Sequence, residues 1–126
     1  MKNVIVTDQA PAAIGPYSQA VFAGGVLYCS GQIGLDPVSG SLVVGGFEAE
    51  AKQVIANLSA VAEAAGMSLS DAVRLTVYLV DLEDFPRLNE IFQAVLEVPF
   101  PARATVEVSA LPRGARVEID MVATKG

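Results

Sequence analysis

The chain has 126 residues, a hydrophobic share of 52%, and a formal net charge of −6 from eight basic and fourteen acidic side chains, a size and composition that predict one domain over residues 1–126. It contains no histidine and one cysteine. This excludes Ser-His-Asp and Cys-His nucleophile pairs, histidine-ligated zinc or haem, an imidazole relay, an internal disulfide and a multi-cysteine cluster, and the acidic balance argues against a nucleic-acid partner.

The N-terminal stretch is too short and too weakly basic for a signal peptide, and no run of about 18 apolar residues occurs, so a soluble, cytoplasmic protein with no membrane partner is expected. Val4 to Thr7 reads as a short edge strand, followed by a segment bracketed by Pro11 and Pro16. Ser18 to Phe22 and Val26 to Ser30 flank Ala23-Gly24-Gly25 as a β-hairpin, and Asp36-Pro37-Val38-Ser39-Gly40 as a further turn. The single thiol, Cys29, falls within the second of these strands and reads as a buried structural side chain.

From Phe47 the hydrophobic period changes to 3.6. Phe47, Ala51, Val54, Ile55, Leu58, Val61, Ala62 and Ala65 form one stripe, with Glu48, Lys52, Asn57 and Glu63 opposite and Gly66 as the stop. Val73, Leu75, Val77 and Leu79 then alternate as a strand. Asp84 is the expected cap of a second helix carrying Phe85, Leu88, Ile91, Phe92 and Val95, with Pro86 in its first turn and Pro99 and Pro101 beyond its end. Two strands close the chain, Ala102 to Ser109 and Arg116 to Thr124. The order β-β-β-α-β-α-β-β predicts an α+β domain, a six-stranded mixed sheet with both helices on one face. Alternation sets Arg103, Thr105 and Glu107 on one face of their strand and Arg116, Glu118 and Asp120 on one face of the next. Val106, Val108, Val117, Ile119 and Met121 are expected to pack on the helices. The mean hydropathy of +0.48 is high for a small monomer and places part of the apolar surplus between subunits.

Arg103 and Glu118 are the first candidates for chemistry. A guanidinium behind a proline-bracketed turn can receive an anion bidentately, although an ion-pair network of Arg103, Glu107, Arg116 and Glu118 on a solvated face is the default reading. Ser30 and Gly31, at a strand end, can offer a hydroxyl and backbone N–H groups to a ligand, or can simply form a turn. Tyr17 follows a stiff segment and reads equally as a presented ring or a half-buried strand start. Asn89 lies just off the apolar face of its helix, where exposure is the default.

These segments, taken in order, resemble one family. Ala10-Pro11-Ala12-Ala13-Ile14-Gly15-Pro16-Tyr17-Ser18-Gln19-Ala20, Ser30-Gly31-Gln32-Ile33, Ala64-Ala65-Gly66, Asp81-Leu82-Glu83-Asp84-Phe85 with Asn89, Phe100-Pro101-Ala102-Arg103-Ala104-Thr105-Val106-Glu107-Val108, and Leu111-Pro112 with Val117-Glu118-Ile119 are similar to the RidA (YjgF) family of reactive intermediate deaminases, from about Thr7 to Val122. The resemblance implies a chorismate-mutase-like α+β fold and a homotrimer with active sites between subunits. It implies hydrolysis of 2-iminobutanoate and 2-iminopropanoate to 2-oxo acids and ammonia, sparing pyridoxal-phosphate enzymes from damage, with no metal and no cofactor. By motif position, Arg103 would grip the substrate carboxylate and Glu118 would orient or deprotonate water. Ser30, Gly31 and Thr105 would contact the substrate, and Tyr17 and Asn89 would line the pocket. Thr105 stands where many relatives carry cysteine, and Glu90 to Ala102 is shorter than in some, which bears on side-chain preference. A trimeric binder of 2-oxo acids that does no hydrolysis, and an endoribonuclease or translation inhibitor, are the rival readings; the second fits poorly with an acidic chain lacking histidine.

Overall fold

The computed structural model describes residues 1–125; Gly126, the last position of the expected domain, lies outside the described residues. Six strands and two helices follow in the expected order: β1 (Asn3–Ile5), β2 (Ala20–Ala23), β3 (Val26–Gln32), α1 (Gly46–Ala64), β4 (Ala72–Leu79), α2 (Phe85–Val95), β5 (Ala102–Glu107) and β6 (Val117–Thr124). They form an α+β arrangement with one mixed sheet in the order β1-β2-β3-β6-β4-β5, in which only the β4–β5 pair is parallel.

The β2–β3 hairpin turns on Gly24 and Gly25, both at positive φ (59° and 80°), the geometry of a two-residue connection that matches strand twist. β1 ends before the expected Thr7 because the Thr7 N–H leaves the ladder to donate to Gln19 Oε1 at 2.8 Å. The Gln19 side chain is buried and its Nε2 donates to the carbonyls of Thr7, Ala10 and Pro11, so one amide satisfies a backbone that the prolines keep out of regular structure.

The core is the layer between α1, α2 and one sheet face, and it includes Leu27, Cys29, Val54, Leu58, Val61, Leu75, Val77, Leu79, Leu88, Val117, Ile119 and Met121. The α1 stripe is the expected one, but its polar complement is not wholly outside. Asn57, expected opposite the stripe, is only 1% exposed, and Glu50 is completely buried. The position of each is dictated by a loop that needs partners: Asn57 Nδ2 donates to the carbonyls of Ile33 and Leu35, and Glu50 accepts from Arg116.

Three further expectations are corrected. Val73 is 45% exposed because a register shift between Ala72 and Arg74 puts Ala72, not Val73, into the core. Asp84 makes no side-chain cap; a short 3-10 turn, Leu82–Asp84, precedes α2, and Asp81 caps it by accepting from the Glu83 N–H. The last two strands are not neighbours. β6 runs between β3 and β4, while β5 lies parallel to β4 at the sheet edge, so the expected face assignment of β5 inverts. Leu75 faces both Met121 and Arg103 across the ladder, and Val77 faces both Ile119 and Thr105, which sets Arg103, Thr105 and Glu107 on the helix side. Val106 is consequently on the bare side, 44% exposed rather than packed on helices.

Gly34 closes this architecture by contact. A Cβ there would lie 2.9 Å from the Glu50 Cα, a backbone atom that cannot turn away. Gly34→Ala should therefore cost about 1–3 kcal/mol of stability, as overpacking does. Urea or thermal unfolding measures it; wild-type stability in the variant would contradict the packing described.

Candidate active site

Two cavities hold Arg103, Asn89, Tyr17, Gly31 and Glu118 and share no lining residue, while Ser30 and Thr105 line neither. The first, about 450 Å3, is lined by Leu75, Asn89, Phe92, Leu96, Phe100 and Arg103 among others. Arg103 projects from β5 toward α2, where its Nη1 donates to Asn89 Oδ1 at 2.7 Å and its guanidinium stands 5.0 Å from the Phe85 ring centre and 5.7 Å from that of Phe92. The amide takes one guanidinium N–H, leaving the rest of the donor fork for an anion, while the two rings favour the cation where it stands. Asn89 is thus a partner of Arg103 rather than a solvated helix residue.

The second cavity, about 300 Å3, is lined by Ile14, Tyr17, Gly31, Ile33, Arg113 and Glu118 among others. Glu118 is the second residue of β6 and faces Tyr78 across the ladder, on the side of the sheet away from the helices. Gly31 leaves room for it: a methyl at residue 31 would overlap Glu118 Oε2 and lie 2.9 Å from its carboxyl carbon. Tyr17 is 54% exposed and lies three residues before β2, so it is not the start of a strand. Arg113 adopts a left-handed conformation (φ 62°) in the turn that leads to β6, an uncommon geometry for a non-glycine residue, and its guanidinium donates to the Gly40 carbonyl.

The expected ion-pair network of Arg103, Glu107, Arg116 and Glu118 does not form. Arg116 pairs with Glu50, Glu107 accepts from the Leu82 N–H, and Arg103 bonds to Asn89. Ser30 is placed behind the second cavity, its hydroxyl donating to the Ser18 carbonyl at 2.6 Å and its N–H to the Gln19 carbonyl, so it braces the segment that carries Tyr17. Thr105 Oγ1 is buried with no hydrogen-bond partner among the described residues. Cys29 lies in the core, and burial first, with the charge of Asp120 second, pushes its thiol up to about 12.

The model of the Endoribonuclease L-PSP family matches residues 7–125. The 2-iminobutanoate/2-iminopropanoate deaminase of Mus musculus is 51% identical over 126 residues, covering all of this chain and 93% of that protein; the Homo sapiens deaminase is 49% identical, with 92% of it covered. RidA from the Antarctic bacterium Psychrobacter sp. PAMC 21119 superposes with a TM-score of 0.95 at 52% identity, over 98% of this chain and 99% of that one.

The chain belongs to the RidA family.

Phe85, Phe92 and Phe100, which surround Arg103 in this RidA-family chain, were not among the residues expected at the site. The signal was available in part: Phe85, Asn89 and Phe92 stand at i, i+4 and i+7, one face of α2. Phe100, in a turn between helix and strand, carries no such signal.

Burial, followed by the neighbouring Asp120 charge, raises the Glu118 carboxyl above its ordinary value. The folded RidA-family chain therefore holds this proton more tightly than the unfolded chain, so the ionised carboxylate costs stability at neutral pH, and the cost shrinks as pH falls through the folded value and is gone below the ordinary one. Glu118→Gln should melt above the parent at about pH 7, with the difference closing toward about pH 4. Calorimetry across that range checks it, and a variant that melts lower at neutral pH would contradict the assignment.

Proposed function

We propose that this protein hydrolyses 2-imino acids, of the 2-iminobutanoate and 2-iminopropanoate type, to 2-oxo acids and ammonia, in a homotrimer whose sites lie between subunits. The named activity of relatives about 50% identical over the full chain supports the reaction. The observation that carries the assembly is the division of the site: Arg103 and Glu118 stand on opposite faces of one sheet, in separate cavities. A second copy that brings its Glu118 cavity against the Arg103 cavity of the first completes a site that neither has alone. The bare sheet face, with Tyr28 51% exposed and Val106 44% exposed, gives that copy apolar surface to cover.

In the assembled cleft, the Arg103 fork takes the substrate carboxylate, with Asn89 and the two phenylalanine rings fixing the guanidinium. Tyr17 closes the side of the cleft and the Gly31 backbone approaches the substrate. Ser30 acts through the Ser18 segment and Thr105 stands beside Arg103 on β5. The iminium carbon is electrophilic already, so the protein's work is orientation and proton handling. Glu118 takes a proton from water as its oxygen bonds to the imine carbon, giving a tetrahedral amino alcohol. Glu118 passes that proton to the nitrogen, the C–N bond breaks with its electron pair leaving on ammonia, and the hydroxyl proton returns to Glu118 as the C=O bond forms and is then handed to the ammonia, so the oxo acid and ammonium leave. A carboxyl placed beside the water can serve both transfers, accepting the proton and then giving it up. This chemistry asks for no metal and no cofactor, and it belongs in the cytoplasm beside the enzymes that release such imines. An RNA-cleaving role is disfavoured by the −6 charge and the absence of histidine.

Coupling a threonine dehydratase to the protein and following 2-oxobutanoate release tests the reaction. The native protein should accelerate release, and Arg103→Ala should lose about 2–5 kcal/mol of transition-state stabilisation, a fall in kcat/KM of about 30- to 5,000-fold. No acceleration by the native protein would end the deaminase reading, and binding of 2-oxobutanoate without turnover would favour a binding module.

Sedimentation equilibrium should give about 39 kDa, three times the 13.1 kDa chain. A stable monomer would remove the shared cleft.

A further inference from the structure

Glu50 takes no part in either cavity, yet it is the most deeply buried ionisable group in this part of the fold, with no exposed surface. A carboxylate so placed needs strong partners. Its Oε1 accepts from the backbone N–H of Arg116 at 2.7 Å, and its Oε2 accepts from Arg116 Nη1 at 2.6 Å. The first bond fixes a main-chain atom, the point at which the chain turns from the 3-10 turn Pro112–Gly114 into β6. Glu118 is two residues further on.

The same residue of α1 also fixes the other wall of the Glu118 cavity. Gly34 lies against the Glu50 backbone at a distance only glycine allows, and Gly34 ends the short segment that begins at Gly31. Gly31 in turn gives way to the Glu118 carboxyl. Seven residues along the same helix, Asn57 holds the carbonyls of Ile33 and Leu35, so the segment is tied to α1 at both sides of Gly34.

We propose that Glu50 is a positioning residue: by holding the Arg116 backbone and packing against Gly34, it sets where Glu118 stands relative to Gly31 in the cleft. The inference rests on the role given to Glu118 above. An amide in place of this carboxylate has one acceptor oxygen, so Glu50→Gln serves either the Arg116 N–H or its guanidinium, with a donor left facing a donor. The shape is kept while the grip on β6 is weakened. Because Arg103 is untouched, the loss falls on turnover and not on carboxylate binding.

In the coupled assay, Glu50→Gln should lower kcat about tenfold and leave KM within about twofold, since small misplacements of an acid-base group act on the chemical step. In a Glu118→Gln background the same change should alter kcat by less than about twofold, because a residue that acts only through Glu118 has nothing further to lose. Amide exchange at Arg116 should quicken in Glu50→Gln without global unfolding. A variant with normal kcat, or an undiminished tenfold effect in the Glu118→Gln background, overturns the proposal. A native protein without deaminase activity would sink the proposed function instead; amide exchange then decides the positioning by itself, and unchanged exchange at residues 116–118 overturns it.

Discussion

Alternate residues of a strand point to opposite faces of its sheet, and β5 and β6 are both registered on β4 in such a way that Arg103 shares the helix-covered face and Glu118 the bare one. The pleat allows no compromise between these positions. Arg103 is consequently built into a helix-side pocket, where α2 supplies an amide and two aromatic rings, whereas Glu118 is built into a pocket made of loops: the proline-bracketed segment, the end of β3 and the turn before β6. An anion grip and a carboxylate with raised proton affinity are thereby kept from neutralising each other within one chain.

The loop-built pocket requires more support than the helix-built one, and buried polar side chains provide it. Gln19 ties three carbonyls and one N–H of the segment leading to Tyr17, and Asn57 and Glu50 hold the stretch after β3 and the start of β6. Such groups are costly when unsatisfied and highly directional when satisfied. They give irregular backbone a definition that the apolar core, being non-directional, does not supply. The core holds the sheet to the helices, and these amides and carboxylates hold the cleft to the core.

Much of this was legible in the residues. Period 3.6 located α1 and α2, alternation located β4 and β6, and the Gly24-Gly25 pair located the β2–β3 hairpin, because each of these signals is local. Arg103, Glu118, Gly31, Tyr17 and Asn89 were all identified by ordered motifs, and each of them lines one of the two cavities. What escaped is set by distant partners. The parity of β5 follows from its pairing with β4 in parallel at an edge, which its own alternation does not reveal. The displacement of Val73 comes from a register shift against β6. Asn57 reads as lying opposite the apolar stripe, and nothing local singles out Glu50, until the loops that need them are folded over α1; Asp84 reads as the cap because the 3-10 turn that moves this role to Asp81 has no hydrophobic period.

Cys29 stands apart from both cavities. An imine carbon that water can attack is equally open to a thiolate, whose addition would be faster and would leave the protein carrying its own substrate as an adduct. The one sulfhydryl in the sequence lies in the sheet core, with its ionisation pushed up to about 12, so at neutral pH it offers almost no thiolate to an electrophile. Neither cavity is lined by a cysteine or a methionine. In a fold that meets electrophiles, a thiol sited in the core presents them with no ready nucleophile.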